Sequence, residues 1–562
     1  MTPQLTVRAA LSGMALGAVL ALSNLYVVLK TGWSLGVTIT ATIVAFGFFR
    51  AMEQVGATKR PFTALENVMV ASIASSGAWM TGGGNMAALP ALLLLTGQRP
   101  AGVAMVAWFA VIASLGVFIA IPLKKQFIDR ERLPFPMSVA TAEAVRAMHG
   151  SGDTRPAMLL LRASGFAAVF TLWRDLELFF SLPGRFTFAP LSTWGFGFDA
   201  SLVLLGGGSL MKPRTAWSMF VGALLTWGVL APLAHQHGML ASLEFKAMVQ
   251  LSLWPAAALL TSSALTGFVV QAVQLSRRAV RRRQLTRDDF EAEENAVSTW
   301  WAVTGVLALS PPLIFLMNRL FAIPVWAALL ALPLALVVGV VSARVTGETD
   351  VTPTKAMGPL TQLIAGFALP GNVVANVMTA NVTAGVGLHA ADLLSDLKTG
   401  WVLKANARQQ VWAQFLGLVV GAIVVVPAFT LLVPEASVLG SEQFPAPAVM
   451  VWAGVSKVLA LGPDGLPVGA REAMLVAALL GAALTVVEAL FPQRSRTLPS
   501  AAALGIAMVL PAATTLTMVL GAALGALARR RWSEETLTPI ASGLIAGESV
   551  MGVVMALTRL VL

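Results

Sequence analysis

Almost uncharged apolar runs of about 20 residues recur along this chain, and a helix of that length crosses a ~30 Å hydrocarbon core. Residues 103–121, 415–433 and 473–490 are examples. Only 12% of the residues are charged and 57% are hydrophobic, with a mean hydropathy of +0.78. A soluble globular chain carries about 25% charged residues. Too few ionic groups remain to wet the surface of a 562-residue chain. The sequence therefore reads as a multi-pass helical membrane protein, in contact with lipid on most sides.

The net charge of +11 does not point to nucleic acid. The basic residues sit in short clusters between apolar runs, at 124–132, 277–287, 494–496 and 529–531. A nucleic-acid surface would interleave aromatic residues among them. The pattern fits positively charged loops on the cytoplasmic side of a membrane. Cysteine is absent, which excludes disulfides, thiolate metal sites and a cysteine nucleophile. Tyr26 is the single tyrosine, so the 15 tryptophans must supply most of the interfacial aromatic belt. The first apolar stretch, 8–29, is too long for a secretory leader and lacks a small-residue cleavage site, so it is expected to be a membrane helix.

Helical spans are expected at 7–29, 33–50, 62–96 (interrupted), 101–122, 157–180, 187–210, 214–235 and 252–274. A second set falls at 297–318, 322–343, 357–394 (interrupted), 409–433, 469–491, 499–526 and 537–560. Two amphipathic stretches, 136–149 and 446–461, are too short to span. Counting broken segments, this gives 14–16 crossings.

The two sets repeat. Asn67-Val68-Met69 returns as Asn376-Val377-Met378, Phe135-Pro136 as Phe444-Pro445, and Pro190 as Pro499, each 309 positions later. The expected architecture is all-α, with about 16 transmembrane helices in two repeated halves. Residues 1–276 form an N-terminal membrane repeat, 277–296 a charged cytoplasmic linker and 297–562 a C-terminal repeat. Repeats of this kind are common in secondary transporters, whose sites lie between them near the bilayer midplane.

The interrupted segments 62–96 and 357–394 are where the hydrophobic pattern breaks. The first carries Glu66, Asn67 and Asn85, and the second Asn372, Asn376, Asn381, His389 and Asp392, with Asp396 just beyond. Irregular backbone at membrane depth is tolerated only inside protein or along a wet cavity, where freed N–H and C=O groups can bind a substrate or ion. The alternative is close helix packing through small residues and asparagine.

Ionisable residues inside spans are costly and are candidates for function by default. Glu66, Glu143, His389, Asp392, Asp396 and Glu548 are the candidates for proton coupling. A carboxylate desolvated in the membrane can exchange a proton near neutral pH, and histidine does so unaided. His389, Asp392 and Asp396 are spaced to share one helix face. The competing expectation for the two aspartates is a solvated helix end near Lys398. Tyr26 and Lys30 are neighbours one helical turn apart. With Asn24 they are candidates for substrate contact, the alternative being an interfacial anchor with a snorkelling lysine.

No phosphate-binding loop, His-Glu-x2-His metal site or Gly-x-Ser-x-Gly elbow is present. No cofactor and no resident metal are expected. A passive channel or a membrane-embedded enzyme built on Asp392 and Asp396 are the remote alternatives to a carrier.

Several motifs resemble the oligopeptide transporter family. They are Asn24-Leu25-Tyr26 with Leu29-Lys30-Thr31-Gly32, and Pro61-Phe62-Thr63-Ala64-Leu65-Glu66-Asn67. Leu133-Pro134-Phe135-Pro136 with Ala140-Thr141-Ala142-Glu143-Ala144 is a third. The strongest is Ala390-Ala391-Asp392-Leu393-Leu394-Ser395-Asp396-Leu397-Lys398-Thr399-Gly400, followed by Arg408-Gln409-Gln410 and Gln414. The resemblance covers essentially the whole chain. It implies a proton-coupled secondary carrier of short peptides or peptide-like compounds or, as in the yellow-stripe-like branch, of metal–chelate complexes. Compact loops are similar to those of a bacterial member in the inner membrane, and a homodimer is among the assemblies open to it. No His- or Met-rich loop marks metal capture, which leans the expectation towards peptides.

Overall fold

The computed structural model describes residues 4–561 except 33, 35–36, 59, 83, 152–153, 177–184, 188–190, 241–244, 283–296, 350–351, 353, 462–468, 492 and 494–496. Most of the charged linker expected at 277–296, with Pro190 and the basic residues 494–496, lies outside the described residues.

The first half runs through α1 (Val7–Thr31), α2 (Val37–Gln54), α3 (Ala64–Trp79), α4 (Asn85–Thr96), α5 (Gly102–Lys124), α6 (Pro136–Ser151) and α7 (Arg155–Leu176). A two-stranded antiparallel hairpin follows, β1 (Arg185–Thr187) and β2 (Gly197–Asp199). Then come α8 (Leu202–Ser209), α9 (Pro213–Ala223), α10 (Ala231–Gln236) and α11 (Phe245–Arg282). The second half contains α12 (Thr299–Phe321), α13 (Val325–Thr349), α14 (Thr354–Ala368), α15 (Val373–Leu403), α16 (Ala407–Leu432) and α17 (Pro447–Leu461). It closes with α18 (Ala470–Leu490), α19 (Ala501–Ala507), α20 (Ala512–Ala528) and α21 (Glu534–Val561). The chain is an all-α polytopic membrane protein. Eight helical segments among the described residues are long and apolar enough to cross a bilayer unaided, and further depth is built from broken helices.

The structure departs from the expected spans in three places. Residues 187–210 do not form a span: strands β1 and β2 and the eight-residue α8 take their place. Gly195, in the left-handed conformation, lies between the strands, and Gly206-Gly207-Gly208 weaken the helix that follows. Residues 499–526 form two helices, because Pro511 has no N–H to continue α19 and instead caps α20. The interruptions in the two halves of the chain also fall at different places. α3 stops at Trp79, before three glycines at 82–84. The positions 309 residues later are Ala391, Asp392 and Leu393, and there α15 runs unbroken. Its own break lies earlier, at 369–372, where Gly371 is left-handed and Asn372 caps the new helix by accepting the Ala375 N–H at 2.9 Å.

Packing between the halves is reciprocal. α7 lies along α21 and α18 along α11; α8 packs on α20 and α19 on α9. The junctions that precede the two short amphipathic helices are matched as well. Phe135 donates its N–H to the Gly347 carbonyl of α13, and Ala446 donates its own to the Leu29 carbonyl of α1. Phe135 and Ala446 both have positive φ, 42° and 44°, immediately before the prolines that open α6 and α17.

At the centre, α1, α3 and α16 approach through glycines: Gly13 and Gly17 on α1, Gly77 on α3, and Gly417 and Gly421 on α16. Small residues four apart let helix backbones meet, which is how helices associate where lipid removes the hydrophobic drive. A Cβ at Gly417 would overlap Ser76 Oγ and the Ile73 carbonyl. Gly417→Leu is therefore expected to lower stability by about 1–3 kcal/mol through overpacking, read as an earlier thermal midpoint in detergent. An unchanged midpoint would show that the contact is slack. The outer faces are apolar: Trp300, Leu307 and Phe315 on α12 and Leu475, Val476 and Leu479 on α18 are exposed to the surroundings, as lipid contact requires.

Candidate functional site

The close approach of α3 and α16 places polar side chains of both helices against the middle of α15. Asp392 and Asp396 are 7% and 2% exposed, so neither sits at a solvated helix end. Ser75 Oγ donates to Asp392 Oδ1 at 2.9 Å, and Gln414 Nε2 donates to Oδ2 at 2.6 Å. One turn on, Gln410 Nε2 donates to the Asp396 main-chain carbonyl at 2.9 Å. Gln410 Nε2 also reaches Ser72 Oγ at 3.4 Å. Asp396 Oδ2 and Gln414 Oε1 are buried without a hydrogen-bond partner. No salt bridge reaches either aspartate among the described residues. Isolated buried carboxylates are expensive in a membrane protein, and this makes the pair a candidate site. His389 is fully buried with both ring nitrogens unpartnered, and its Cβ lies against Gly116 of α5.

Asparagines form two further buried networks. Trp108 Nε1 donates to Asn381 Oδ1 at 2.7 Å, and Asn381 Nδ2 to Asn85 Oδ1 at 2.9 Å. Asn85 then donates to the Met80 carbonyl in the break after α3. Asn376 Nδ2 donates to the Gln362 carbonyl and Asn376 Oδ1 accepts from Ser456 Oγ, while Gln362 Nε2 reaches the Trp452 carbonyl at 2.9 Å. Asn24 Nδ2 donates to Thr81 Oγ1 at 2.9 Å, tying α1 to the same break.

A charged cluster gathers where α1, α7 and α21 meet the hairpin. Glu548 is fully buried and accepts from Arg174 Nη1 and Ser201 Oγ, both at 3.0 Å, and from the Val203 N–H at 2.8 Å. Asp199 accepts from Arg185 Nε at 2.8 Å and from Thr514 Oγ1 at 2.6 Å. Arg185 also bridges to Glu442 of the second half at 2.9 Å. Burial works against the Arg185 charge, and the carboxylates of Asp199 and Glu442 outweigh it, holding the guanidinium above its usual value. Lys30 Nζ stands 5.6 Å from the Tyr26 ring centroid, and Tyr26 packs edge-on against Phe444 at 5.7 Å. A small cleft opens nearby between α1, α2 and α21, lined by Ser23, Val37, Thr40 and Ser542 among others.

The remaining candidates stand apart from these sites. Glu66 is held at the start of α3, where it forms a capping box with Thr63 and accepts from Arg8 and Thr6. Glu143 is exposed on α6, paired with Arg146. Asn67 Nδ2 contacts the Thr42 carbonyl and His149, both at 3.2 Å.

Sequence reasoning missed Ser72, Ser75, Arg174, Asp199 and Arg185 as site residues. Arg174 and Asp199 lie inside runs expected to span, so the rule that singled out Glu548 applies equally to them. Serines on a helix carry no such signal.

A family model of the OPT oligopeptide transporter protein matches residues 4–559. The chain is 24% identical to a putative oligopeptide transporter of Saccharomyces cerevisiae, covering 98% of this chain and 95% of that protein. It is 25% identical to the iron-phytosiderophore transporter yellow stripe 1 of Zea mays, covering 97% and 89%. It is 24% identical to a metal-nicotianamine transporter of Arabidopsis thaliana, covering 97% and 92%. Identities this low rest on no single motif, but the match runs from end to end. Together with the apolar helices, it shows that this membrane protein belongs to the OPT oligopeptide transporter family.

Proposed function

We propose that this chain is a secondary carrier that couples uptake of short peptides or peptide-like compounds to protons. The observation that carries the coupling is the pair Asp392 and Asp396, buried on one face of the unbroken α15 without a cation beside them. A carboxylate in such a place must be neutralised in part of a transport cycle, and a proton is the smallest neutraliser. Asp396 Oδ2, an acceptor without a donor, is a free position for that proton. The reciprocal contacts between the halves support reading 1–276 and 297–562 as two repeats that shift against each other around this face. Tyr26 and Lys30, beside the charged cluster, are the residues we assign to substrate contact. Asn24, Asn85, Asn376 and Asn381 have their amides engaged by the protein, which suits a role in holding the broken helices.

Two of the plant relatives are named for iron-phytosiderophore and metal-nicotianamine transport, and this favours a second reading, uptake of a metal–chelate complex. Such a complex arrives with its ligands supplied. No His/Cys/Asp/Glu group able to hold a metal is needed on the protein, and none occurs among the described residues.

Reconstituted vesicles test both readings. An inward proton gradient should drive accumulation of labelled di- and tripeptides, and a protonophore should abolish it. Accumulation of chelates but not peptides would move the assignment to the second reading. Flux of small ions alone would overturn the carrier. Tyr26→Phe should weaken uptake with expression and melting unchanged. Unaltered kinetics would return Tyr26 to packing against Phe444.

A further inference from the structure

We propose that Thr38 and Ser75 form the hydroxyl relay through which a proton reaches Asp392, an inference that rests on the coupling reading above. Asp392 is 7% exposed, so little of it meets solvent directly. Its two oxygens are held by different kinds of group. Gln414 Nε2 holds Oδ2, and an amide does not pass protons readily. Ser75 Oγ holds Oδ1, and a hydroxyl both gives and takes one. Ser75 is itself fully buried, and it accepts from Thr38 Oγ1 at 3.3 Å. Thr38 is only partly buried, in the first turn of α2, where its neighbours Val37 and Thr40 line the cleft beside α21. The donors point inward along the whole chain, from Thr38 to Ser75 to Asp392.

The polar neighbours of Asp392 are contributed by α3 and α16. α3 turns Ser72 and Ser75 to the aspartate face, and α16 turns Gln410 and Gln414. Asp396, one turn along α15, is the ionisable neighbour. His389, one turn before, lies against α5. Several described charged groups on the other elements packed on α15 are paired or exposed. Arg344 of α13 pairs with Glu131, Lys124 of α5 with Asp129, Glu143 of α6 with Arg146, and Lys457 of α17 is exposed.

The step balances. Thr38 Oγ1 takes a proton from a hydronium ion, leaving water, and gives its own hydroxyl proton to Ser75 Oγ. Ser75 gives its proton to Asp392 Oδ1, and the carboxylate becomes a neutral acid. Each hydroxyl ends with one proton and resets by rotation.

Thr38→Val is the sharper test, because it leaves the Ser75–Asp392 bond in place. In vesicles, gradient-driven uptake should fall at least about tenfold, and substrate exchange without a gradient should stay within about twofold of the parent. Ser75→Ala should do the same, and Ser75→Thr, which keeps a hydroxyl, should recover most of the driven rate. The slowed variants should regain rate as the outer pH falls, where the parent is already saturated. Normal driven uptake in Thr38→Val, or equal loss of driven uptake and exchange in all three variants, would overturn the relay. If the parent itself shows no proton-driven uptake, the coupling reading fails and takes the relay with it. A parent that couples normally beside an unaffected Thr38→Val removes the relay alone.

Discussion

Replacing Asp392 with asparagine should abolish proton-driven accumulation, by about a hundredfold or more, while the protein still folds and still exchanges substrate. The substitution is nearly isosteric and removes the charge and the proton-carrying oxygen together. Its carbonyl oxygen can still accept from Ser75 Oγ, which donates at 2.9 Å in the parent. The new NH2 would meet Gln414 Nε2, donor against donor. Gln414 has a buried Oε1 with no partner, so turning its amide over gives the new group an acceptor. The site is therefore able to absorb the change without losing a hydrogen bond, and stability should hold within about 1 kcal/mol. Counterflow in vesicles with equal pH on both sides reads exchange, and uptake against an imposed gradient reads coupling. Asp396→Asn should also reduce coupling, since Asp396 shares the face and has a free oxygen, but it leaves the Ser75 contact intact. Full accumulation by the Asp392 variant would remove this residue from the coupling path.

Much of this arrangement could be read before any coordinates. The spacing of His389, Asp392 and Asp396 fixes a shared helix face, because a helix turns about 100° per residue. The apolar runs give the membrane class, since length and lack of charge suffice. Partners across the fold were another matter. Ser75 lies 317 positions from Asp392. The glycines that bring them together are spread over α1, α3 and α16, and nothing local in any one segment announces the meeting. The hairpin was hidden for a related reason. Residues 187–210 are apolar enough to pass as a span, and hydropathy does not weigh the five glycines there, which disfavour a long helix. The 309-residue register suggested matching breaks, and the breaks do not match. The three glycines after α3 have no counterpart in α15, so Asp392 stands on regular helix where the first half is bent.

The second large effect concerns stability. Glu548→Ala should cost about 3–5 kcal/mol and leave little folded protein. Glu548 is fully buried, and three donors converge on it: the Arg174 guanidinium, the Ser201 hydroxyl and the Val203 N–H at the start of α8. Removing the carboxylate takes an acceptor from all three, and the Arg174 charge is the most expensive of them because only Asp175 and the Ala200 carbonyl remain to hold it. Glu548→Gln is not a neutral control. Its amide has one oxygen for donors that now approach both, so at least one donor faces the new NH2. Arg174→Met joined to Glu548→Met removes both charges and fills the space, and it should recover most of the loss, because a buried pair replaced by apolar groups is often neutral. The four melting midpoints in detergent form a double-mutant cycle, and a coupling of at least about 2 kcal/mol is expected between contacting charges. The same protein decides whether Glu548 also moves protons. If the double variant folds and still accumulates substrate with the gradient, Glu548 holds α7, α8 and α21 together and the coupling rests on α15. If it folds and fails to couple, the charged cluster belongs to the proton path as well.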